Sequence, residues 1–381
     1  ILNEEIREMY HPKTIEGTLP YISPEQTGRM NLSVDYRTDL YSLGVTFYEV
    51  LSGQLPFSSK DPMDLIYSHI AKEPVTLSDI DSSIPVSISG IVQKLLSKSP
   101  EDRYQSAYGL KNELEYSLEQ IKEKGIVPEF KPGFKDVSDR FVLPQKIFGR
   151  ENEIAELMRN FSKVTEGQTR VMLVSGLPGI GKSRVINEIH KPIVKSRGYF
   201  ISGKYDQLRK DVPFSSILQA FQNLLRQILS ESEERIENWK IRILSAIGTN
   251  AEIIIRVIPE LELIVGKQPP AIELSPEESQ NRFNYSFVNF VKVFARKETP
   301  LTLFLDDMQW ADQPSLQLTR TLLSEKTLHN FFLILSYRDN EVKDSHPFMI
   351  LVDDLKKQKM KMSHIHLDSL STEKVVEFLE H

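Results

Sequence analysis

The chain has 381 residues, 26% of them charged and 40% hydrophobic, with a formal net charge of −6 and no cysteine. A chain without cysteine has no disulfides and no thiolate metal centres, which is compatible with a reducing cytoplasm, and its acidic balance argues against a broad nucleic-acid footprint of clustered Lys and Arg. No apolar run reaches the roughly 20 residues of a bilayer-spanning helix, no signal peptide is evident, and the length leaves room for two or three domains.

Residues 36–51 place Leu40, Leu43, Phe47, Val50 and Leu51 at helical spacing, and Gly53 follows as a stop. Such a helix is nearly apolar all round and is expected to be buried. Asp61-Pro62-Met63-Asp64 opens the next helix with an acidic cap, proline at the first helical position and a first-turn acid. Residues 88–96 and 107–121 read as two more helices. With no strand pattern among them, residues 1–124 are predicted to form a mainly helical lobe. Residues 125–146 hold Gly125, Pro128, Pro132, Gly133 and Pro144 with little periodicity, the composition of a linker. Phe130, Phe134 and Phe141 are too apolar for free solvent, so this linker is expected to dock in part.

From residue 147 onward, buried strands alternate with helices, the signature of a parallel sheet covered on both faces. Residues 171–175, 199–203, 301–305 and 331–336 are the strand candidates. Residues 184–190, 214–229, 232–248 and 276–294 read as helices, and residues 253–258 suit either state. Between the first strand and its helix stands Gly176-Leu177-Pro178-Gly179-Ile180-Gly181-Lys182-Ser183, which fits GxxxxGK[ST]. Glycines let successive backbone N–H groups point inward at phosphates, and the following helix adds its positive end. Gly176, Pro178, Gly179 and Gly181 would form the cradle for ATP, with Lys182 reaching the β/γ-phosphates and Ser183 the Mg2+. The metal also needs an acid at the end of a neighbouring strand. Asp306, closing the run 301–305, supplies it, and Asp307 is the candidate catalytic residue that orients or deprotonates the attacking water. Two adjacent acids would equally suit a helix N-terminal charge pair. Arg338, after the run 331–336, is a candidate γ-phosphate sensor or, alternatively, the partner of an acid such as Asp339. The basic cluster Lys356-Lys357-Gln358-Lys359-Met360-Lys361 suits a solvated helix end, and His364-Ile365-His366 has metal-like spacing without an evident third ligand.

Resemblance adds to this. Glu16-Gly17-Thr18-Leu19-Pro20-Tyr21-Ile22-Ser23-Pro24-Glu25 resembles the end of a protein kinase activation segment. Asp39-Leu40-Tyr41-Ser42-Leu43-Gly44 with Tyr48-Glu49 is similar to the central helix of the kinase C-lobe, Gly53-Gln54-Leu55-Pro56-Phe57 to its outgoing loop, and Pro100-Glu101-Asp102-Arg103 to its late arginine. The resemblance implies that Glu25 and Arg103 form a buried ion pair, that Asp39 steadies the catalytic loop and that Thr18 lines the peptide-substrate groove. The glycine loop, ATP-positioning lysine, His-Arg-Asp loop and Asp-Phe-Gly motif of that family would all lie before Ile1, so this stretch is not expected to phosphorylate protein by itself. Residues 147–381 resemble AAA-type ATPases of the signalling (STAND) class. Phe148-Gly149-Arg150-Glu151 is similar to the box that places an arginine beside the adenine, and Asp306-Asp307-Met308-Gln309-Trp310-Ala311-Asp312 to the acidic motif. Asp307 stands where fast AAA+ motors carry Glu, which implies a slow nucleotide switch.

The combination resembles bacterial hybrid sensors, notably cyanobacterial ones, that run serine/threonine kinase, AAA/STAND ATPase, GAF and histidine kinase in one chain. Ile201-Ser202-Gly203-Lys204-Tyr205-Asp206 and Gln280-Asn281-Arg282-Phe283-Asn284 are further stretches of that likeness. It implies a multidomain, cytoplasmic fragment: a partial, mainly α kinase C-lobe, then an α/β P-loop NTPase. ATP and Mg2+ are the expected cofactors, protein substrates of the parent kinase and downstream GAF and histidine kinase domains the expected partners, and nucleic acid and membrane spans are not expected. A STAND transcription regulator and a non-catalytic ATP-binding scaffold are the alternatives. The start at Ile1 and the helical pattern at residues 375–381 fit a piece of something longer.

Overall fold

The computed structural model describes residues 18–27, 34–59, 61–134, 136, 147, 149–207, 213–229, 231, 233–272, 274–370 and 374. It divides into two units, Ile1–Lys146 and Ile147–His381. Phe141, Pro144, Phe148 and the helical pattern at 375–381 lie outside the described residues.

Every regular element among the described residues of the first unit is helical. Its helices are α1 (Arg37–Ser52), α2 (Pro62–Ala71), α3 (Leu77–Ile80), α4 (Val86–Leu95) and α5 (Ala107–Lys124), joined by 3-10 turns at Leu19–Tyr21, Pro24–Thr27 and Pro100–Asp102. Helix α1 runs through the centre with Leu40, Tyr41, Val45 and Tyr48 buried. Gly44 sits where a Cβ would come within 2.7 Å of the Leu95 Cβ, so glycine is what lets α1 and α4 approach. Burial ends at Tyr48, whose hydroxyl donates to the Val75 carbonyl. Beyond it Val50 is 76% exposed, so the expectation of burial all round fails in the last turn. Helix α5 starts on the Ser106 cap, which accepts from Gly109 N at 2.9 Å, and ends at Gly125 in the left-handed conformation.

After α5 the chain folds back. Ser87 Oγ donates to the Pro128 carbonyl and accepts from Phe130 N, while the buried Glu113 carboxylate takes Gly133 N at 2.8 Å and the Tyr104 hydroxyl. Phe130 and Phe134 pack edge-on with each other and with Tyr116. Phe130 and Phe134 thus dock on Tyr116 of α5, Phe134 remaining half exposed.

The second unit is α6 (Glu151–Thr165), β1 (Arg170–Gly176), α7 (Lys182–Asn187), α8 (His190–Lys195), β2 (Tyr199–Lys204), α9 (Ser215–Leu229), α10 (Glu233–Ile247), α11 (Ala251–Ile255), α12 (Glu262–Val265), α13 (Pro276–Phe294), β3 (Leu301–Asp306), α14 (Gln313–Ser324), β4 (Phe331–Tyr337), α15 (Pro347–Lys357) and β5 (Met362–Leu367). The strands form one sheet in the order β2-β3-β4-β1-β5, every pair parallel. Side chains alternate across it. Val171, Leu173, Leu303 and Leu333 face the core shared with α9, α10 and α13, whereas Met172, Val174, Phe304 and Ile334 pack with residues of α6, α7 and α8. Burial on both faces explains why β1, β3 and β4 read as unbroken apolar runs.

One open reading is decided and two expectations are corrected. Residues 253–258, which suited either state, hold the end of the short helix α11 and the turn that leads to the 3-10 helix Pro259–Leu261. The helix after β1 is displaced from 184–190: α7 begins at Lys182 and stops at Asn187, too short to supply a long helix's dipole. A fifth strand, β5, lies beyond the four candidates, at the histidines whose spacing suits a strand face. Its signal was the alternation of exposed His364 and His366 with buried Ile365 and Leu367, the pattern of an edge strand.

Candidate nucleotide site

Because all five strands are parallel, β1, β3 and β4 deliver their C-terminal residues to one edge of the sheet, where open α/β folds place ligands. At the end of β1, Gly176 has φ +143°, and a Cβ there would come within 2.7 Å of the Leu367 carbonyl on β5. Gly181, at φ +101° with no neighbour around its missing Cβ, turns the loop into α7. Leu177, Pro178 and Gly179 are exposed at the tip. Lys182 is buried and folds back over the loop, its Nζ donating to the carbonyls of Gly176 at 2.8 Å and Leu177 at 2.9 Å. Burial depresses its pKa, and the nearby Asp306 and Asp307 oppose that shift.

Ser183 Oγ donates to Asp306 Oδ2 at 3.1 Å. The residue after Lys182 is thereby joined to the acid that ends β3, two strands away across the sheet. This hydroxyl–carboxylate pair is the donor set a hard divalent cation such as Mg2+ takes, so these residues fit the metal that the loop motif implies.

Asp307 turns the chain out of β3 in the left-handed conformation, φ +56° and ψ +47°, which Asp tolerates better than most residues. Its carboxylate is 4% exposed as a residue and heavily partnered. Arg338 Nε donates to Oδ1 at 3.1 Å, Gln309 Nε2 to the same oxygen at 2.8 Å, and Lys204 Nζ lies 3.4 Å from Oδ2. Arg338 leaves β4 with its guanidinium 4.5 Å from the Trp310 ring centroid and also bonds Glu341 at 2.8 Å. Its acidic partners are thus Asp307 and Glu341. Asp312, the last acid of this stretch, caps α14 by accepting from Ser315 N at 2.8 Å.

The structure therefore gathers Gly176, Pro178, Gly179, Gly181, Lys182, Ser183, Asp306, Asp307 and Arg338 at one sheet edge. Arg150 has other bonds: its buried guanidinium donates to the Asp368 carbonyl and to Glu153. Lys204 and Gln309 were missed as site residues. The signal for Lys204 was a charge ending an otherwise uncharged strand, the same signal that marked Asp306 and Arg338. His364 Nε2 and His366 Nδ1 both lie 2.9 Å from Ser175 Oγ, and among the described residues no group of three or more His, Asp or Glu is arranged to hold a metal ion.

In the first unit Arg103 pairs with Glu25 through two bonds of 2.7 and 2.8 Å, with both side chains fully buried. Thr38 Oγ1 adds a third contact to Glu25, and Arg103 also donates to the carbonyls of Ser97 and Arg37. Asp39 and Thr18 are both exposed. No helix among the described residues is long and apolar enough to cross a membrane.

Residues 2–114 match the protein kinase domain family and residues 146–335 the AAA ATPase domain family. Hybrid signal transduction histidine kinase G of Dictyostelium discoideum is 41% identical over 81% of this chain, which covers 10% of that protein. Histidine protein kinase 1 of Candida albicans is 24% identical over 97% of the chain, covering 17% of its own length. Serine/threonine-protein kinase PknB of Mycobacterium leprae is 41% identical over 26% of the chain, covering 15% of that protein. The chain is thus similar to protein kinase domains over its first part and to AAA ATPase domains over its second, and the relatives that match most of it are named as histidine kinases. It spans between about a tenth and a sixth of the length of these relatives.

Proposed function

We propose that the chain is a segment of a cytoplasmic signal-transduction serine/threonine protein kinase, and that its second unit is a nucleotide switch binding ATP with Mg2+ at the loop 176–183. The observation that carries this is the Ser183–Asp306 contact of 3.1 Å beside a buried Lys182. Backbone N–H groups of the loop would cradle the phosphates. Lys182 would exchange its two carbonyls for phosphate oxygens, and Ser183 and Asp306 would hold the metal. When bound, Mg2+ neutralises phosphate charge. Arg338 would turn from Asp307 to the γ-phosphate, leaving Asp307 to orient the attacking water.

The ATP site of this chain is assigned to the loop 176–183 on its own motif and setting. In the whole protein the kinase lobe would act on protein substrates under control of this module. The relatives named as histidine kinases support a histidine kinase domain in the whole protein, and a GAF domain is proposed with it. A second reading, an ATP-binding scaffold that does not hydrolyse, draws on the three side chains that already engage Asp307. Phosphate release separates the two.

Mg·ATP at 100 times its Kd should stabilise the chain by about 2.7 kcal/mol through linkage, visible as a rise in melting temperature. Lys182→Ala should remove most of that rise. A wild-type melting curve indifferent to Mg·ATP would sink the assignment.

A further inference from the structure

Gln309 sits in the 3-10 turn Met308–Trp310 directly after β3 and is 4% exposed. Its carboxamide is used at both ends. Nε2 donates to Asp307 Oδ1 at 2.8 Å, and Oε1 accepts the backbone N–H of Arg338 at 3.2 Å. The two partners fix the orientation of the amide, because a flip would set its oxygen against a carboxylate and its NH2 against an N–H. One short, buried side chain thereby ties the exit of β3 to the exit of β4.

The other two partners of Asp307 differ in kind. The Lys204 side chain is 67% exposed and that of Arg338 23% exposed, both are long, and both are cations that a triphosphate would attract. Once they turn to phosphate, the carboxylate keeps the bond from Gln309. Neither close substitute can do this: a glutamate would set a second carboxylate against Asp307, and an apolar side chain of similar length would give neither bond.

We propose that Gln309 is a positioning residue for nucleotide hydrolysis, holding the Asp307 carboxylate in register with Arg338 while the two cations move to the phosphates. This rests on the nucleotide assignment made above and adds a residue to it. It places the requirement in turnover rather than in binding, since the bonds of Gln309 run to Asp307 and to the Arg338 backbone.

The test uses the 381-residue chain, with Gln309→Met to keep volume and Gln309→Glu to reverse the polarity. Fluorescent ATP binding in Mg2+ gives Kd, and phosphate release gives kcat. Both variants should keep Kd within about threefold of wild type while kcat falls about 10- to 100-fold, the size of effect a misplaced catalytic group produces. A kcat unchanged in both variants, or a loss of binding in step with kcat, overturns the positioning role and leaves the nucleotide assignment standing. So does a wild type that binds but releases no phosphate. A wild type that binds no nucleotide overturns both. Should Gln309→Met fail to fold, the Kd and kcat of Gln309→Glu decide alone.

Discussion

The two units each hold a carboxylate against an arginine, and the two pairs are built differently. Glu25 and Arg103 are both fully buried, meet through two short bonds, and have their spare hydrogen-bonding groups taken by Thr38, Ser97 and Arg37. Asp307 and Arg338 meet at 3.1 Å with the arginine side chain 23% exposed, and each has further partners near at hand. A pair sealed from water and satisfied on every side has no low-cost alternative. A pair at the rim of a sheet edge, with a lysine, a glutamine and an indole around it, can trade one partner for another. The first geometry suits a lock and the second a switch.

The strongest way to break this comparison is to remove the lock. Arg103→Ala leaves the Glu25 carboxylate buried without a cation, which typically costs about 3–5 kcal/mol. Chemical denaturation of the wild type, Glu25→Ala, Arg103→Ala and the double variant should show the double costing less than the sum of the singles. Additive losses would mean that the pair does not act as a unit.

The difference between lock and switch was only half legible in the sequence. Residues 301–305 and 331–336 announced strands because a parallel sheet buries both faces, and the glycine and lysine spacing of 176–183 announced a phosphate loop because that chemistry is local. What each charge would touch was not local. Arg338 adjoins Asp339 in sequence, yet its guanidinium meets Asp307 and Glu341, since consecutive residues leaving a strand diverge while the ends of β3 and β4 lie side by side. Lys204 enters the site only because β2 pairs with β3 in register, setting Lys204 opposite Asp306. Arg150, which the resemblance sets beside the adenine, bonds the Asp368 carbonyl, a partner 218 residues away that no local pattern announces. The double aspartate suited a helix terminus as well as a metal site, and the capping acid proved to be Asp312. Composition and period carried the architecture, and side-chain partnership needed the register.

A smaller effect should separate the units by pH. His69 is buried in α2, shares a hydrogen bond with the Tyr41 hydroxyl at 2.9 Å and packs edge-on against Phe57. Desolvation, reinforced by the positive charge of Lys98, pushes its pKa down to about 4 from 6.5. The unfolded chain therefore binds a proton at His69 that the folded chain refuses between those values. Its contribution is present above pH 6.5 and is lost as pH falls toward 4, on the order of 2–3 kcal/mol over that window. The protection factors of the α1 amides, corrected for the pH dependence of intrinsic exchange, should fall across it in wild type and much less in His69→Gln. An equal pH slope in both would remove His69 as the cause.

The smallest expected effect on stability is at the switch itself. Arg338→Ala removes a partly exposed pair, worth about 0–1 kcal/mol, together with the contact to the Trp310 ring. What distinguishes it is its dependence on salt. At 1 M ionic strength the screening length is about 3 Å, so a pair whose arginine reaches water is screened more strongly than one sealed on both sides. The stability gap between wild type and Arg338→Ala should therefore narrow as salt rises from about 0.05 to 1 M, while the gap for Arg103→Ala stays constant. Measuring both gaps by denaturant titration at the two salt concentrations tests the contrast directly. If the Arg338 gap holds firm at 1 M, its ion pair is as sealed as the one between Glu25 and Arg103, and a cation so fixed could not leave Asp307 for a phosphate.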